Sequence, residues 1–231
     1  GAQGGISEAR EETVGTAQTG AEEALRESDA VSASDTESTL LWRELENKDS
    51  FVRNYAQLLD GVLDAVEEAT FAEADSSVDV RYMQLSHKQL TVAAALAGNE
   101  EYYLPMYVGD TLARVHLTFD RTGEEKGTVT VAVALSEEAH IRARLYLEEG
   151  TVRGIFCAEG KFEVNKLRET ADTFREEAGH NWKVGDISVV ASGRRVPEPV
   201  GTKEHERTES AELYRVAKVF LQSVQSAAYV R

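Results

Sequence analysis

Histidine, cysteine and clustered carboxylates are the side chains from which this chain would have to build a catalytic or metal centre, and their spacing argues against one. The five histidines are His87, His116, His140, His180 and His205. They include no HExxH or HxH, spacings that turn two imidazoles toward one ion. His116 and His140 fall on the polar faces of two predicted strands and would make a two-histidine site if those strands paired. Exposed strand residues are the simpler reading. Cys157 is the only cysteine, which excludes an intramolecular disulfide and a cysteine-rich metal site. Within Gly154-Ile155-Phe156-Cys157-Ala158 it reads as a small half-buried side chain. The acidic pairs Glu67-Glu68, Glu100-Glu101, Glu137-Glu138, Glu148-Glu149 and Glu176-Glu177 are adjacent residues, which do not converge on one substrate. Nothing singles out a two-carboxylate glycosidase arrangement. No GxSxG elbow, Walker loop or dinucleotide fingerprint appears. Glycines stand singly at Gly109, Gly123, Gly127, Gly150 and Gly185, as turns require. No cofactor or metal is expected, and the chain reads as non-enzymatic.

The chemistry that remains is recognition. The formal net charge is −16 and the isoelectric point about 4.8. Such a surface repels phosphate backbones and anionic headgroups, so neither nucleic-acid binding nor membrane insertion is expected, and a basic protein partner is favoured overall. Against that acidity, Arg114, Arg142, Arg144 and Arg153 share the polar face of predicted strands. A local basic patch engages an acidic partner, unless the arginines pair with glutamates on adjacent strands, which is ordinary sheet chemistry.

The elements that position these residues follow from hydrophobic period. Residues 1–36 are rich in Glu, Ala, Ser, Thr and Gly with few large apolar side chains. They bury too little to offset ordering entropy and are expected to be disordered or weak, frayed helix. From Ser38 the apolar residues Leu41, Leu45, Phe51, Tyr55, Leu58, Leu59, Val62, Leu63 and Val66 recur largely at helical spacing. An interruption is expected near Asn47-Lys48-Asp49-Ser50, with Asp49 or Ser50 as the N-cap of the second piece. Val80, Met83, His87, Leu90 and Ala94 mark another helix, stopped at Gly98-Asn99.

The period then becomes two. Runs from Thr111 to Phe119, Gly127 to Leu135, His140 to Leu147 and Thr151 to Ala158 each alternate one apolar with one polar face, the pattern of an antiparallel sheet covered on one side. Residues 139–158 read as a hairpin, with a partly helical alternative around Ala139-His140-Ile141-Arg142. Phe162, Leu167, Ala171, Phe174 and Ala178 make the stripe of a covering helix closed by Gly179, and Trp182 to Ala191 is a last strand. Pro197 and Pro199 break regular structure. Thr208 to Tyr229 is a helix with Leu213, Val216, Ala217, Phe220, Leu221 and Val224 on one face. The expected division is a disordered acidic segment 1–36, a helical segment 37–76, an α+β domain 77–192, a linker 193–206 and a C-terminal helix 207–231. The fold class is α+β: a largely antiparallel sheet covered on one face, with flanking helices.

No apolar stretch approaches the ~18 residues needed to span a bilayer. Gly1-Ala2-Gln3-Gly4-Gly5 has neither the basic nor the apolar region of a signal peptide. With no initiator Met, the chain reads as part of something longer.

The segment Leu104-Pro105 … Gly109 … Val115-His116-Leu117-Thr118-Phe119, then Gly127-Thr128-Val129-Thr130-Val131, resembles the opening of the C-terminal domain of flagellar hook-length control proteins. There a lead-in with Pro and Gly precedes a strand, a turn and a second strand. Leu167-Arg168 … Phe174 … Gly179 and Val184-Gly185-Asp186-Ile187-Ser188-Val189 are similar to that family's closing helix and strand. Leu213-Tyr214-Arg215-Val216-Ala217-Lys218 is similar to versions in clostridia-like bacteria. The likeness covers about residues 102–192, under half the chain, and rests on strand and helix patterns. It departs from the family where 139–158 adds a hairpin.

The resemblance implies a cytoplasmic protein that is itself exported through the flagellar type III channel. A flexible N-terminal portion would meet hook proteins. The C-terminal domain would contact the cytoplasmic domain of the export gate protein and switch export from hook to filament substrates. Leu104, Pro105 and Gly109 are expected to bind protein by their position in the family pattern; Arg114, Arg142, Arg144 and Arg153 are expected to do so by the charge argument. A protein that must unfold to pass a narrow channel is expected to be modestly stable. Two other readings stay open: an adaptor that dimerises through its terminal helices, by Leu213, Val216, Phe220 and Val224, and a small-molecule enzyme.

Overall fold

The computed structural model describes residues 38–72, 77–123, 126–192 and 211–229. The acidic segment 1–36 and the linker 193–206 lie outside the described residues.

Two helical pieces open the described chain, as the interruption in the periodicity predicts. A 3-10 helix, Leu41–Glu46, is followed by the helix α1, Lys48–Ala72. The cap between them differs from expectation. Asn47 is extended and its side-chain carbonyl accepts the Ser50 N–H at 3.1 Å. Asn47 therefore caps α1, an amide oxygen being well placed to take an N3 donor, while Asp49 and Ser50 lie inside the first turn. Phe51, Tyr55 and Leu59 of α1 reach the core. Helix α2, Ser77–Ala97, returns toward it with Leu90, Ala93 and Ala97.

Six strands form one sheet in the order β1 to β6: β1 Glu101–Val108, β2 Thr111–Gly123, β3 Lys126–Ala134, β4 Ala139–Glu148, β5 Thr151–Gly160 and β6 Lys183–Ser192. The first five run antiparallel as a meander, so 139–158 is a hairpin and not helical. Strand β6 pairs parallel with β5 after the crossover helix α3, Val164–Ala178. Helix α4, Ala211–Tyr229, ends the described chain. The fold is α+β, with a largely antiparallel sheet.

The β1 strand is an addition to the sequence reading, which treats its residues as a lead-in. Pro105 and the Tyr102-Tyr103 pair hide an alternation in which Tyr102, Leu104, Met106 and Val108 all point into the core. Proline is tolerated because β1 is an edge strand. The turns are short: Gly109-Asp110 joins β1 to β2 with Gly109 at φ 61°, and Glu149-Gly150 joins β4 to β5 with φ 49° and 69°. Two-residue loops need this left-handed backbone to match strand twist.

The inner face of the sheet is buried by α3 and α4 together. Phe156, Phe174 and Phe220 meet edge to face, with centroids 5.4 and 4.9 Å from Phe156. Tyr214 stacks on Phe119 at 4.0 Å. Each such ring contributes roughly 1.5–3 kcal/mol by leaving water. Leu213, Val216, Phe220 and Val224 are all buried, so the apolar stripe of the C-terminal helix is spent on the sheet. Gly179 closes α3 as the sequence predicts, with a right-handed backbone at φ −61°.

At the top of this core, Glu100 gathers partners from three elements. Its carboxylate accepts the Tyr214 hydroxyl at 3.2 Å and faces Lys48 at 3.4 Å and the buried Arg121. Tyr102 and Tyr214 share a hydrogen bond of 3.0 Å beside it. The network ties α1, the start of β1, the end of β2 and α4 together.

Candidate protein-docking face

The outer face of the sheet carries the side chains that alternate away from the core, and no described helix packs on it. Its layout follows from register. Rows running from β1 to β6 are Pro105, Arg114, Ala134, His140, Glu159 and Ser192; then Tyr103, His116, Ala132, Arg142, Cys157 and Val190; then Glu101, Thr118, Thr130, Arg144, Ile155 and Ser188.

The register separates the two histidines that might have formed a metal site. His116 lies on β2 and His140 on β4, with β3 between them. Among the described residues no group of three or more His, Cys, Asp or Glu is placed to hold a metal ion. His116 instead hydrogen bonds through Nε2 to Glu101 at 2.8 Å and stacks on Tyr103 at 4.2 Å, nearly parallel. Cys157 is half-buried, and its thiol is pushed above its ordinary range by desolvation and by the nearby Glu159 charge.

The arginines expected to bind protein all reach this face, but in different states. Arg142 makes the cross-strand pair that simple sheet chemistry predicts, with Nε 3.3 Å from Glu159 and both side chains largely buried. Arg114 and Arg144 are exposed and make no ion pair among the described residues. Arg144 lies over the Tyr146 ring at 5.3 Å. Arg153 is exposed, its stem packed where a side chain at Gly185 would go.

The lead-in residues divide. Pro105 lies on the outer face next to Arg114, Gly109 forms the β1–β2 turn, and Leu104 points the other way into the core. Leu104 therefore supports the face from behind and does not contribute surface to it. What sequence reasoning passed over is aromatic and aliphatic: Tyr103 at 44%, Tyr107 at 46% and Leu112 at 54% exposure, with Tyr107 directly opposite Leu112. Recognition of β1 as a strand would have revealed the two tyrosines; Leu112 falls on the outer face of the predicted Thr111–Phe119 strand and was not counted as binding surface. Tyr and Arg are the residues that carry most binding energy at protein interfaces.

The chain was compared with family models, curated proteins and solved structures. None of them matches it. A functional reading of this chain therefore rests on its own residues and on the resemblance that they carry.

The free edge of β1 is closed to a further strand. Tyr103 exchanges both its backbone groups with the Tyr55 hydroxyl, at 3.3 and 3.4 Å. Pro105 has no N–H, and the Tyr107 carbonyl accepts from Gln225 at 3.2 Å. This is edge protection of the kind that prevents strand addition. Contact at this end of the sheet has to be made by side chains of the outer face.

A polar cleft of about 420 Å³ lies elsewhere, between the 3-10 helix, α3 and α4, lined by Trp42, Arg43, Glu177, Lys218, Gln222 and Gln225 among others. Lys218 is already paired with Glu46 at 2.5 Å.

Proposed function

We propose that this chain is a non-catalytic protein-recognition module, and that it acts as the export-switching domain of a flagellar hook-length control protein by contacting the cytoplasmic domain of the export gate. The observation that carries the recognition reading is the outer face itself: a sheet surface combining exposed Tyr103, Tyr107 and Leu112 with the exposed Arg114 and Arg144, which make no ion pair among the described residues. The flagellar assignment rests on the resemblance of residues 102–192. It is compatible with a cytoplasmic protein; no helix among the described residues is long and apolar enough to cross a membrane.

Calorimetric titration of the full chain with the purified cytoplasmic domain of the export gate, at two salt concentrations, tests this reading. Saturable binding that weakens with salt supports it. Absence of heat at ~100 μM of each protein, equivalent to binding weaker than about −5.5 kcal/mol, overturns the export-gate assignment.

The adaptor reading keeps one observation in its favour. The C-terminal stripe is buried at home, but Leu85 and Val92 of α2 are more than half exposed at 54% and 57%. A mass that rises with concentration in sedimentation would support dimerisation through the α1–α2 hairpin.

A further inference from the structure

The outer face is not flat. Beyond Lys126, which starts the strand and pairs with Glu148, every outward residue of β3 is small: Thr128, Thr130, Ala132 and Ala134, each only half-buried. On either side stand larger side chains, Arg114 and His116 on β2 and Arg142, Arg144 and Tyr146 on β4. Two strand spacings, roughly 9–10 Å, separate these walls. That is the width of a shallow trough that seats one extended polypeptide along β3.

The walls specify the chemistry of the occupant. Arg114 and Arg144 bring positive charge to opposite sides of the trough, and neither is neutralised by an ion pair among the described residues. Glu101, the nearest carboxylate on the β1 side, is engaged by His116 and by the Tyr103 hydroxyl at 3.2 Å. Asp120, exposed at the end of the trough beside Thr128, repels a carboxylate there. Acidic groups are thus drawn toward Arg114 and Arg144. At the Ala134 end, the exposed Tyr107–Leu112 pair offers an apolar anchor point. A nucleic-acid strand would satisfy the arginines but meets a chain of net charge −16.

We propose that this trough docks an extended, acidic segment of a partner protein, its carboxylates meeting Arg114 and Arg144 and an apolar side chain packing on Tyr107 and Leu112. The inference rests on the recognition reading of the face and adds the partner's chemistry to it. The trough is preorganised, because its floor is a central strand and its β1 flank is tied down by Tyr55 and Gln225. Little ordering cost is then left on this side of the interface.

Fluorescence anisotropy of the full chain with labelled octapeptides tests it. The probes are a pool alternating Glu with varied apolar residues, the same pool with Lys for Glu, and a single-stranded oligonucleotide. The Glu pool is expected to bind saturably and the Lys pool not at all. Arg114→Glu with Arg144→Glu is expected to weaken binding at least tenfold. Ala132→Phe, which fills the floor without changing charge, is expected to do the same while leaving the thermal melt in place. No binding of the Glu pool at up to ~1 mM, about −4.1 kcal/mol, overturns the proposal, as does equal binding by both variants or displacement of the peptide by the oligonucleotide. If the peptides bind and the export-gate domain does not, the trough stands and the flagellar assignment falls. If the gate domain binds wild type and both variants alike, the assignment stands and the trough falls.

Discussion

Tyr214 shows how much one residue carries in this core. Its ring stacks on Phe119 and its hydroxyl bridges Tyr102 and Glu100. Burial holds the Tyr214 phenol far above its ordinary value, and burial likewise raises Tyr55 and Tyr102. In the unfolded chain these phenols lose their protons near pH 10. Above that pH the unfolded state binds fewer protons than the folded one, so stability falls as pH rises; below it both states are protonated and the contribution is constant. Tyrosinate absorbance at 295 nm is expected to show a fraction that appears only as the helical circular dichroism is lost. Full tyrosine ionisation before any such loss would contradict this. Tyr214→Phe is expected to cost about 1–2 kcal/mol in urea unfolding, the penalty of removing one partner from a buried network.

Glycines act at the same scale. A Cβ at Gly127 would collide with the Leu213 side chain and lie 3.1 Å from the Asp120 carbonyl. Gly127→Ala is therefore expected to destabilise by about 1–3 kcal/mol, as overpacking does, and to loosen the seat of α4 on β3. An unchanged urea midpoint would show that Leu213 yields without cost.

Among the elements, the strands of the meander were legible because alternation is their dominant signal. Val129, Val131 and Val133 can face only one way, and the core they face is where the period predicts it. The β1 strand was obscured by Pro105, which reads as a breaker until its place at an edge is known. The outer arginines were visible as a set, but their states were not. Whether Arg142 meets Glu159 depends on the register of β4 against β5, and sequence period alone does not fix register. The aromatic part of the face went unseen with the strand that presents it. For the C-terminal helix, the stripe was read correctly but its partner was left open, since an apolar face does not say what it packs against. The structure gives it to the sheet. Phe220→Ala is expected to cost about 3–5 kcal/mol, measured by denaturant unfolding. A loss below ~1 kcal/mol would mean that Phe220 does not hold α4 to Phe156 and Phe174.

At the scale of the molecule, charge and architecture divide the labour. A net charge of −16 weighs against polyanionic partners and itself disfavours the compact state through self-repulsion. Under the proposed export function the chain has to unfold to be threaded, so its two-layer core is expected to melt well below the ~90 °C that marks hyperstability. A calorimetric transition above that temperature would count against export. The outer face is the one large sheet surface on which no described helix packs, and the account places recognition there. The most direct test is nuclear magnetic resonance of the isotope-labelled full chain titrated with the export-gate cytoplasmic domain. The account predicts that shift changes gather at Tyr107, Leu112, Arg114, Thr130, Ala132 and Arg144. Changes gathered instead on the α1–α2 hairpin or around the Trp42 cleft, with the sheet face unmoved, would contradict it.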